Sequence, residues 1–293
     1  MSEQEPSIVF DRSQVRKQFL RATHTLGSAD FLFRHAAERL CDNLQDFTRE
    51  FAICADLSAY HGALRAPLRQ SHKVRNLLNC YSVLPAIMDE NTALPCVYDE
   101  EILPFAHASL DAFFSVLSMQ WVNDLPGLLA QIYAALKPDG LFLAIVPGAQ
   151  TLHELRSSLA HSETMITGGL SPRVSPFIDV REAGALLQRA GFALPVVESD
   201  MLTVTYDSMF ALMYDLREAG QTNALATRRR RMSARNIFIE AAKYYTQHFS
   251  DDEGRIRASV ELITLTAFKP ANTQQKPAKR GSGTFTFEEA GIY

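Results

Sequence analysis

The chain has 293 residues, with 29 Lys and Arg against 33 Asp and Glu and a formal net charge of -4. Hydrophobic residues make up 47% and charged residues 21%, which excludes a disordered chain and fits one large domain or one domain with additions. The near-neutral balance gives no sequence-wide reason to expect nucleic acid as a partner, no apolar run is long enough to span a bilayer, and residues 1–7 do not read as a secretory leader. Cys41, Cys54, Cys80 and Cys96 lack CxxC spacing, so they read as buried reduced thiols rather than metal ligands or disulfides, and the expected compartment is cytoplasmic.

The first fifty residues read as helices. From Ser28 as an N-cap, Phe33, Ala36, Ala37, Leu40 and Leu44 recur at helical spacing. Residues 51–56 predict a short buried strand, 74–80 a weaker one, and 110–117 a third apolar run with Phe113 and Phe114 at its centre. Asp124 caps a helix with Pro126 in its first turn, where a missing N–H is harmless. Leu128, Leu129, Ile132 and Leu136 form its apolar stripe, LKPDG (136–140) ends it in a turn, and 141–146 follow as an apolar strand. Apolar strands separated by helices predict an α/β protein with a largely parallel sheet.

Further along, helices are predicted over 153–163, 180–190 (stopped by Gly191), 208–219 and 228–249. Residues 168–173 form a polar loop, 196–198 and 202–205 two β stretches, 256–268 a final strand, and 270–293 an extended tail.

Several clusters carry chemically useful groups. DLSAYHG (56–62) follows the first strand, where it is either an ordinary strand-to-helix turn or a loop that meets a nucleotide-type cofactor. DEEILPF (99–105) sets three carboxylates before an apolar anchor, either as a solvated acidic turn or as an acceptor for an exocyclic amine. His153-Glu154 is not a zinc-protease motif, because the fourth position on is Ser157. The run Arg228 to Arg231 is either a solvated helix start or a patch for an acidic partner. Tyr244-Tyr245 and Phe113-Phe114 read as core.

The ordered series DEEILPF, the strand with Asp111 near its start, WVNDLP (121–126) and LKPDG resembles the class I S-adenosylmethionine-dependent methyltransferases. A longer series resembles the methyltransferase-like complex I assembly factor family, whose mitochondrial members are described as arginine hydroxylases and whose relatives include the malonyl carrier-protein methyltransferase of biotin synthesis. It comprises Phe10-Asp11-Arg12, Asp30-Phe31-Leu32, Glu38-Arg39-Leu40, QWVNDLP, Thr151-Leu152 with Glu154-Leu155-Arg156, GGLSPRVSPF (168–177), the segment 213–220 and Gln274-Gln275-Lys276-Pro277. That resemblance implies a Rossmann-like, seven-stranded mixed sheet with the last strand antiparallel. It also implies a helical segment over 1–50, a methyltransferase-like domain over 51–269 with helical insertions near 150–180 and 208–249, and a tail over 270–293.

The implied cofactor is S-adenosylmethionine. Asp56 matches the acid that opens its loop, Gly62 the last loop glycine, and Asp99 the adenine-contacting acid, with Glu100 beside it in the implied set. Asn79 and Cys80 stand where relatives place an acid for the ribose, and Ser115 completes the implied set. Ser58 and Tyr60 stand where the family has glycines, and the Tyr60 ring would fill space needed by the methionine part of the cofactor. Gln120 replaces a frequent histidine. No catalytic base and no metal set is identified. The implied function is side-chain modification, by arginine hydroxylation or methylation, of a protein substrate or assembly intermediate of NADH:ubiquinone oxidoreductase. The alternative is a non-catalytic assembly or binding protein on a degenerate methyltransferase fold.

Overall fold

A computed structural model describes residues 8–84 and 95–275. Helices α1 (Arg12–Thr25) and α2 (Phe31–Gln45) lead into strand β1 (Phe51–Asp56), helix α3 (Arg65–Gln70), and strands β2 (Val74–Tyr81), β3 (Pro95–Val97) and β4 (Leu110–Val116). Then come α4 (Leu125–Ala135), β5 (Leu136–Pro147), α5 (His153–Thr167), α6 (Val180–Arg189), β6 (Ala193–Tyr206), α7 (Met209–Glu218), α8 (Arg235–Phe249) and β7 (Ile256–Phe268).

The strands form one seven-stranded sheet in the order β3-β2-β1-β4-β5-β7-β6. Neighbours from β3 through β5 pair in parallel, while β7 runs antiparallel to both β5 and β6. This is the Rossmann-like mixed sheet of the class I methyltransferases. The chain order reverses between β1 and β4, so their carboxyl ends open the crevice in which such sheets bind ligands.

Each sheet face is covered because its central strands are apolar on both sides. On one face α1 and α2 bury Phe19, Phe33, Leu40 and Leu44 against β4 and β5. On the other, Leu128, Leu129 and Ile132 of α4 and Leu187 of α6 pack on Phe113 and Phe142. A third cluster joins α5, α7 and α8 over one end of β6 and β7, with Tyr245 at its centre and the Tyr245 hydroxyl donating to the Arg257 carbonyl at 2.9 Å.

Several predicted elements keep their place. The 51–56 strand, the 256–268 strand and the Asp124 cap, which accepts from the Gly127 amide at 2.8 Å, are all present. Four expectations are corrected. Ser28 lies inside a short 3-10 turn, Gly27–Asp30, and α2 starts behind Asp30, whose side chain makes no capping hydrogen bond. LKPDG is the bulged entry to β5 rather than a free turn: Leu136 pairs with Leu110, and Asp139 takes φ 64°. Gly140 is required there, since a Cβ would meet the Lys137 carbonyl at 2.8 Å. The two predicted stretches 196–198 and 202–205 are one strand, because the register with β7 runs unbroken from Val196 to Tyr206 and the polar side chains between them find partners, the Ser199 hydroxyl donating to Glu261 at 2.7 Å and Asp200 pairing with Arg39. Helix α8 begins at Arg235, not at Arg228. Four adjacent cations oppose the helix dipole at its N-terminus, and Arg228 instead pairs with Asp11 at 2.9 Å.

Phe113 and Phe114 are core, as is Tyr245, whereas Tyr244 is half-buried in a stack between His161 and His248. Cys41, Cys54 and Cys80 are buried free thiols and Cys96 is half-buried; burial pushes the Cys41 thiol up to about 12. The tail begins docked, with Gln274 Nε2 donating to Asp139 at 2.8 Å. Lys276 and Pro277 lie outside the described residues.

The first turn of α5 is fixed to β7 by Glu154. Its buried carboxylate accepts the Ser259 amide at 3.1 Å and also the Ser259 hydroxyl. Replacing Glu154 with Ala leaves that amide unpaired, and urea denaturation is expected to show a loss of about 1.5–3 kcal/mol. A loss below about 0.5 kcal/mol, the range of ordinary surface substitutions, would contradict this role.

Candidate functional site

At the carboxyl end of β1 the loop 56–62 folds on itself. The Asp56 carboxylate is buried and accepts the Ser58 amide at 2.8 Å and the Ser58 hydroxyl at 2.6 Å. Burial pushes its pKa up to about 6 against the pull of those bonds. Ser58 Oγ also accepts the Val116 amide at 3.0 Å, so one hydroxyl bridges the ends of β1 and β4. His61 is neutral, since burial lowers its pKa to about 4. Its Nδ1 accepts the Ala63 amide at 3.1 Å, which leaves Nε2–H to donate to the Val116 carbonyl at 3.0 Å. Gly62 ends the turn at φ 69°, where a side chain is strained.

Tyr60 is the centre of this loop. Its ring is stacked on Phe19 of α1, with centroids 4.0 Å apart and planes 9° apart, and it meets Phe33 edge-on. Its hydroxyl accepts Gln221 Nε2 at 3.0 Å, and the residue is 7% exposed. Burial pushes the phenol pKa far up, so Tyr60 stays neutral.

The acidic turn is partly solvated and paired with cations of α1. Arg12 pairs with Asp99, with Glu100 at 3.1 Å and with Glu101 at 3.4 Å, and Arg16 reaches Asp99 at 3.2 Å and Glu100 at 3.0 Å. Burial would raise the Asp99 pKa, but the Glu101 amide and Arg12 together hold it below the usual carboxylate range. Asn123 Oδ1 accepts the Val9 and Phe10 amides at 2.9 and 2.7 Å, and Asp11 caps α1 through the Gln14 amide at 3.1 Å. Thus FDR, DEE, the Asn of WVND and the start of the arginine run meet at one place. There they hold α1 across the carboxyl-end crevice.

The remaining implied cofactor residues are dispersed around this crevice. Asn79 sits opposite Asp56 in the β1–β2 register and is buried. Cys80 is buried beside Cys96, its register partner on β3. Ser115 lies within β4 on the face shared with Phe113, fully buried, its hydroxyl without a hydrogen-bond partner among the described residues. S-adenosylmethionine requires open backbone for its methionine part and acids for its ribose and adenine. Tyr60 and Phe19 fill the loop, Ser58 closes the gap between β1 and β4, and Arg12 with Arg16 holds Asp99 and Glu100.

Beside the crevice lies a cavity of about 330 Å³ between Leu117 and Pro147, at the ends of β4 and β5, and helices α5, α7 and α8. Its walls are mainly apolar, among them Leu155, Leu212, Phe238 and Val260. Gln120 and Gln221 line it, and Gln221 also holds Tyr60, so the chamber adjoins the filled loop. Val174 and Phe177 bring the loop 168–177 to its rim. That loop is anchored to α5, where Arg173 forms a two-pronged pair with Glu163, at 2.9 and 2.8 Å, while Ser171 donates to the same carboxylate at 2.5 Å. Among the described residues no group of three His, Cys, Asp or Glu side chains is placed to hold a metal ion. No helix among them is long and apolar enough to cross a membrane.

Sequence reasoning missed Arg12, Arg16, Phe19 and Gln221 as site residues. Phe10-Asp11-Arg12 was legible as a motif, but its ion-pair partners lie some ninety residues away.

The Glu163–Arg173 pair has a pH signature. Arg173 and the Ser171 donors bring the Glu163 carboxyl from its ordinary 4.5 to about 2. A depressed folded-state pKa stabilises fully above about 4.5, and that contribution disappears as pH falls towards about 2. With both partners largely buried, the contribution is on the order of 3 kcal/mol. Glu163→Gln is expected to lose it, so wild-type and variant stabilities, measured by urea unfolding, should converge across that acid window. Parallel curves would refute the assignment.

A family profile described as a methyltransferase domain matches residues 84–144. The mitochondrial arginine-hydroxylase NDUFAF5 of Danio rerio is 35% identical over 286 residues, covering 96% of this chain and 89% of that protein. The malonyl-[acyl-carrier protein] O-methyltransferase of Xylella fastidiosa (strain M23) is 30% identical over 272 residues, covering 90% of each. The solved YcgJ protein of Bacillus subtilis is similar in fold, with a TM-score of 0.51 at 15% identity, covering 81% of this chain and 100% of that one. Identity sustained over nearly the whole of both proteins settles the family: this chain belongs to the arginine-hydroxylase NDUFAF5 family, built on the class I methyltransferase fold.

Proposed function

We propose that this chain modifies a protein side chain, by arginine hydroxylation or methylation, during assembly of respiratory complex I. The observation that carries this reading is the apolar chamber at the ends of β4 and β5, which adjoins the loop 56–62 through Gln221. Its volume stands at the lower end of the roughly 300–1,000 Å³ range of small-ligand sites, a size that suits one long side chain. The relative named above is an arginine hydroxylase, and the assembly role is the one the motif series implies. The partner is then a protein substrate or assembly intermediate of NADH:ubiquinone oxidoreductase. The proposed compartment is cytoplasmic, while the named relative is mitochondrial.

S-adenosylmethionine is the cofactor implied by the motif series, and Asp56, Ser58, Tyr60, Gly62, Asn79, Cys80, Asp99, Glu100 and Ser115 are the residues proposed to surround its place. The packing of Tyr60 and the Arg12 pairs supports a finer proposal: the wild-type chain does not take this cofactor up while α1 is docked, so methylation would require α1 to move away first. The same packing favours a second reading, in which the chain binds an assembly intermediate without modifying it.

Two measurements separate these readings. In a strain lacking this chain, mass spectrometry of the complex I core subunits is expected to show an arginine that has lost its modification. Normal arginine chemistry with failed assembly would instead support the binding reading, and normal chemistry with normal assembly would exclude both. For the cofactor, a ligand at 100 times its dissociation constant stabilises by about 2.7 kcal/mol. Millimolar S-adenosylmethionine or S-adenosylhomocysteine is expected to leave the wild-type melting temperature unchanged; a saturable upward shift would overturn the proposal of a closed cradle.

A further inference from the structure

The chamber is lined by two charged side chains, Arg173 and Asp215. Arg173 is neutralised by its paired bonds to Glu163. Asp215, on the α7 face towards the cavity, has no cationic partner among the described residues. It is hydrogen-bonded by the Tyr206 hydroxyl, a neutral partner whose acidity is suppressed by burial and by the Asp215 charge. The chamber therefore carries one net negative charge within an apolar wall, an arrangement that favours a cation able to replace the missing partner.

Two further groups point to a ligand with several polar atoms. Gln120 Oε1 and Trp121 Nε1 are buried without a hydrogen-bond partner among the described residues, and both residues line the chamber. Trp121 is 6% exposed, so water outside the protein does not satisfy its indole N–H. An orphaned acceptor lining the same chamber as a carboxylate without a cationic partner suits a planar multi-donor cation better than a single point charge. The aromatic wall is already of the right kind: the Arg173 guanidinium lies 5.6 Å from the Phe238 ring centroid, so Phe238 stands at the edge of a guanidinium site.

We infer that Asp215 is the specificity-determining anchor of the chamber, taking the guanidinium of a substrate arginine with Gln120 Oε1 as a second acceptor. The inference rests on the arginine-directed reading above and adds the residue that selects the side chain. A charge-assisted pair in an apolar wall is the term that separates arginine from a neutral side chain of the same shape.

The test uses the full chain and three probes: N-acetyl-arginine amide, N-acetyl-citrulline amide and N-acetyl-lysine amide, followed by NMR titration or calorimetry. The arginine probe is expected to bind saturably and the neutral citrulline isostere about tenfold or more weakly, with lysine in between. Asp215→Asn should reduce arginine binding to the citrulline level, while Asp215→Glu retains part of the preference. Should Asp215→Asn fail to fold, as judged by its thermal transition, Asp215→Glu and Gln120→Leu supply the comparison. Absence of arginine binding, equal binding of arginine and citrulline, or unchanged preference in the folded variants would overturn the inference. Its failure is distinguishable from failure of the functional reading. Loss of the arginine modification in the deletion strain without Asp215-dependent binding defeats only the anchor. Asp215-dependent binding with an unaltered arginine defeats only the modification.

Discussion

Burial of the Tyr60 ring under Phe19 sets what the carboxyl-end face of this sheet can hold. A side chain at position 60 has to go somewhere once the loop after β1 turns, and the apolar inner face of α1 provides the place. Stacking at 4.0 Å adds about 0.5–1.5 kcal/mol beyond the area buried, and the Gln221 bond contributes a similar amount. The Arg12 and Arg16 pairs with the acidic turn are partly solvated, so they orient α1 more than they stabilise it. The helix, the loop and the acidic turn are thus one packed unit, and a change in any of them is felt by the others.

The open volume lies beside the filled loop, over the ends of β4 and β5, with α5, α7 and α8 as its walls. Those walls are held by buried charges that face inward to protein partners: Glu154 on Ser259, and Glu163 on Arg173 and Ser171. Each such carboxylate is costly to bury and is kept only because several donors converge on it. Asp215 lacks that convergence, which is why it reads as a group left for a ligand and not as part of the frame.

Elements whose stability is local were legible in the amino-acid order. The Asp124 cap, the apolar stripe of α4, the continuous strand 256–268 and the turn at Gly191 each depend on residues within one or two turns of each other. Errors came where a distant partner decided the outcome. The polar Ser199-Asp200 pair looked like a break, but edge position and the register with β7 carry β6 through it. Arg228 looked like a helix start, but Asp11 draws it away. The acidic turn looked like solvent or ligand, and α1 supplied the cations instead.

The length, the near-neutral charge and the motif order by themselves determined an α/β chain, its family resemblance and the two positions, Ser58 and Tyr60, at which the cofactor loop departs from glycine. What the tertiary structure alone decided is where those side chains go and what remains open once they are placed. Composition and spacing report which groups are present. Whether a carboxylate is paired, as at Asp99, or left facing a cavity, as at Asp215, depends on contacts between segments more than eighty residues apart, and only packing brings those together.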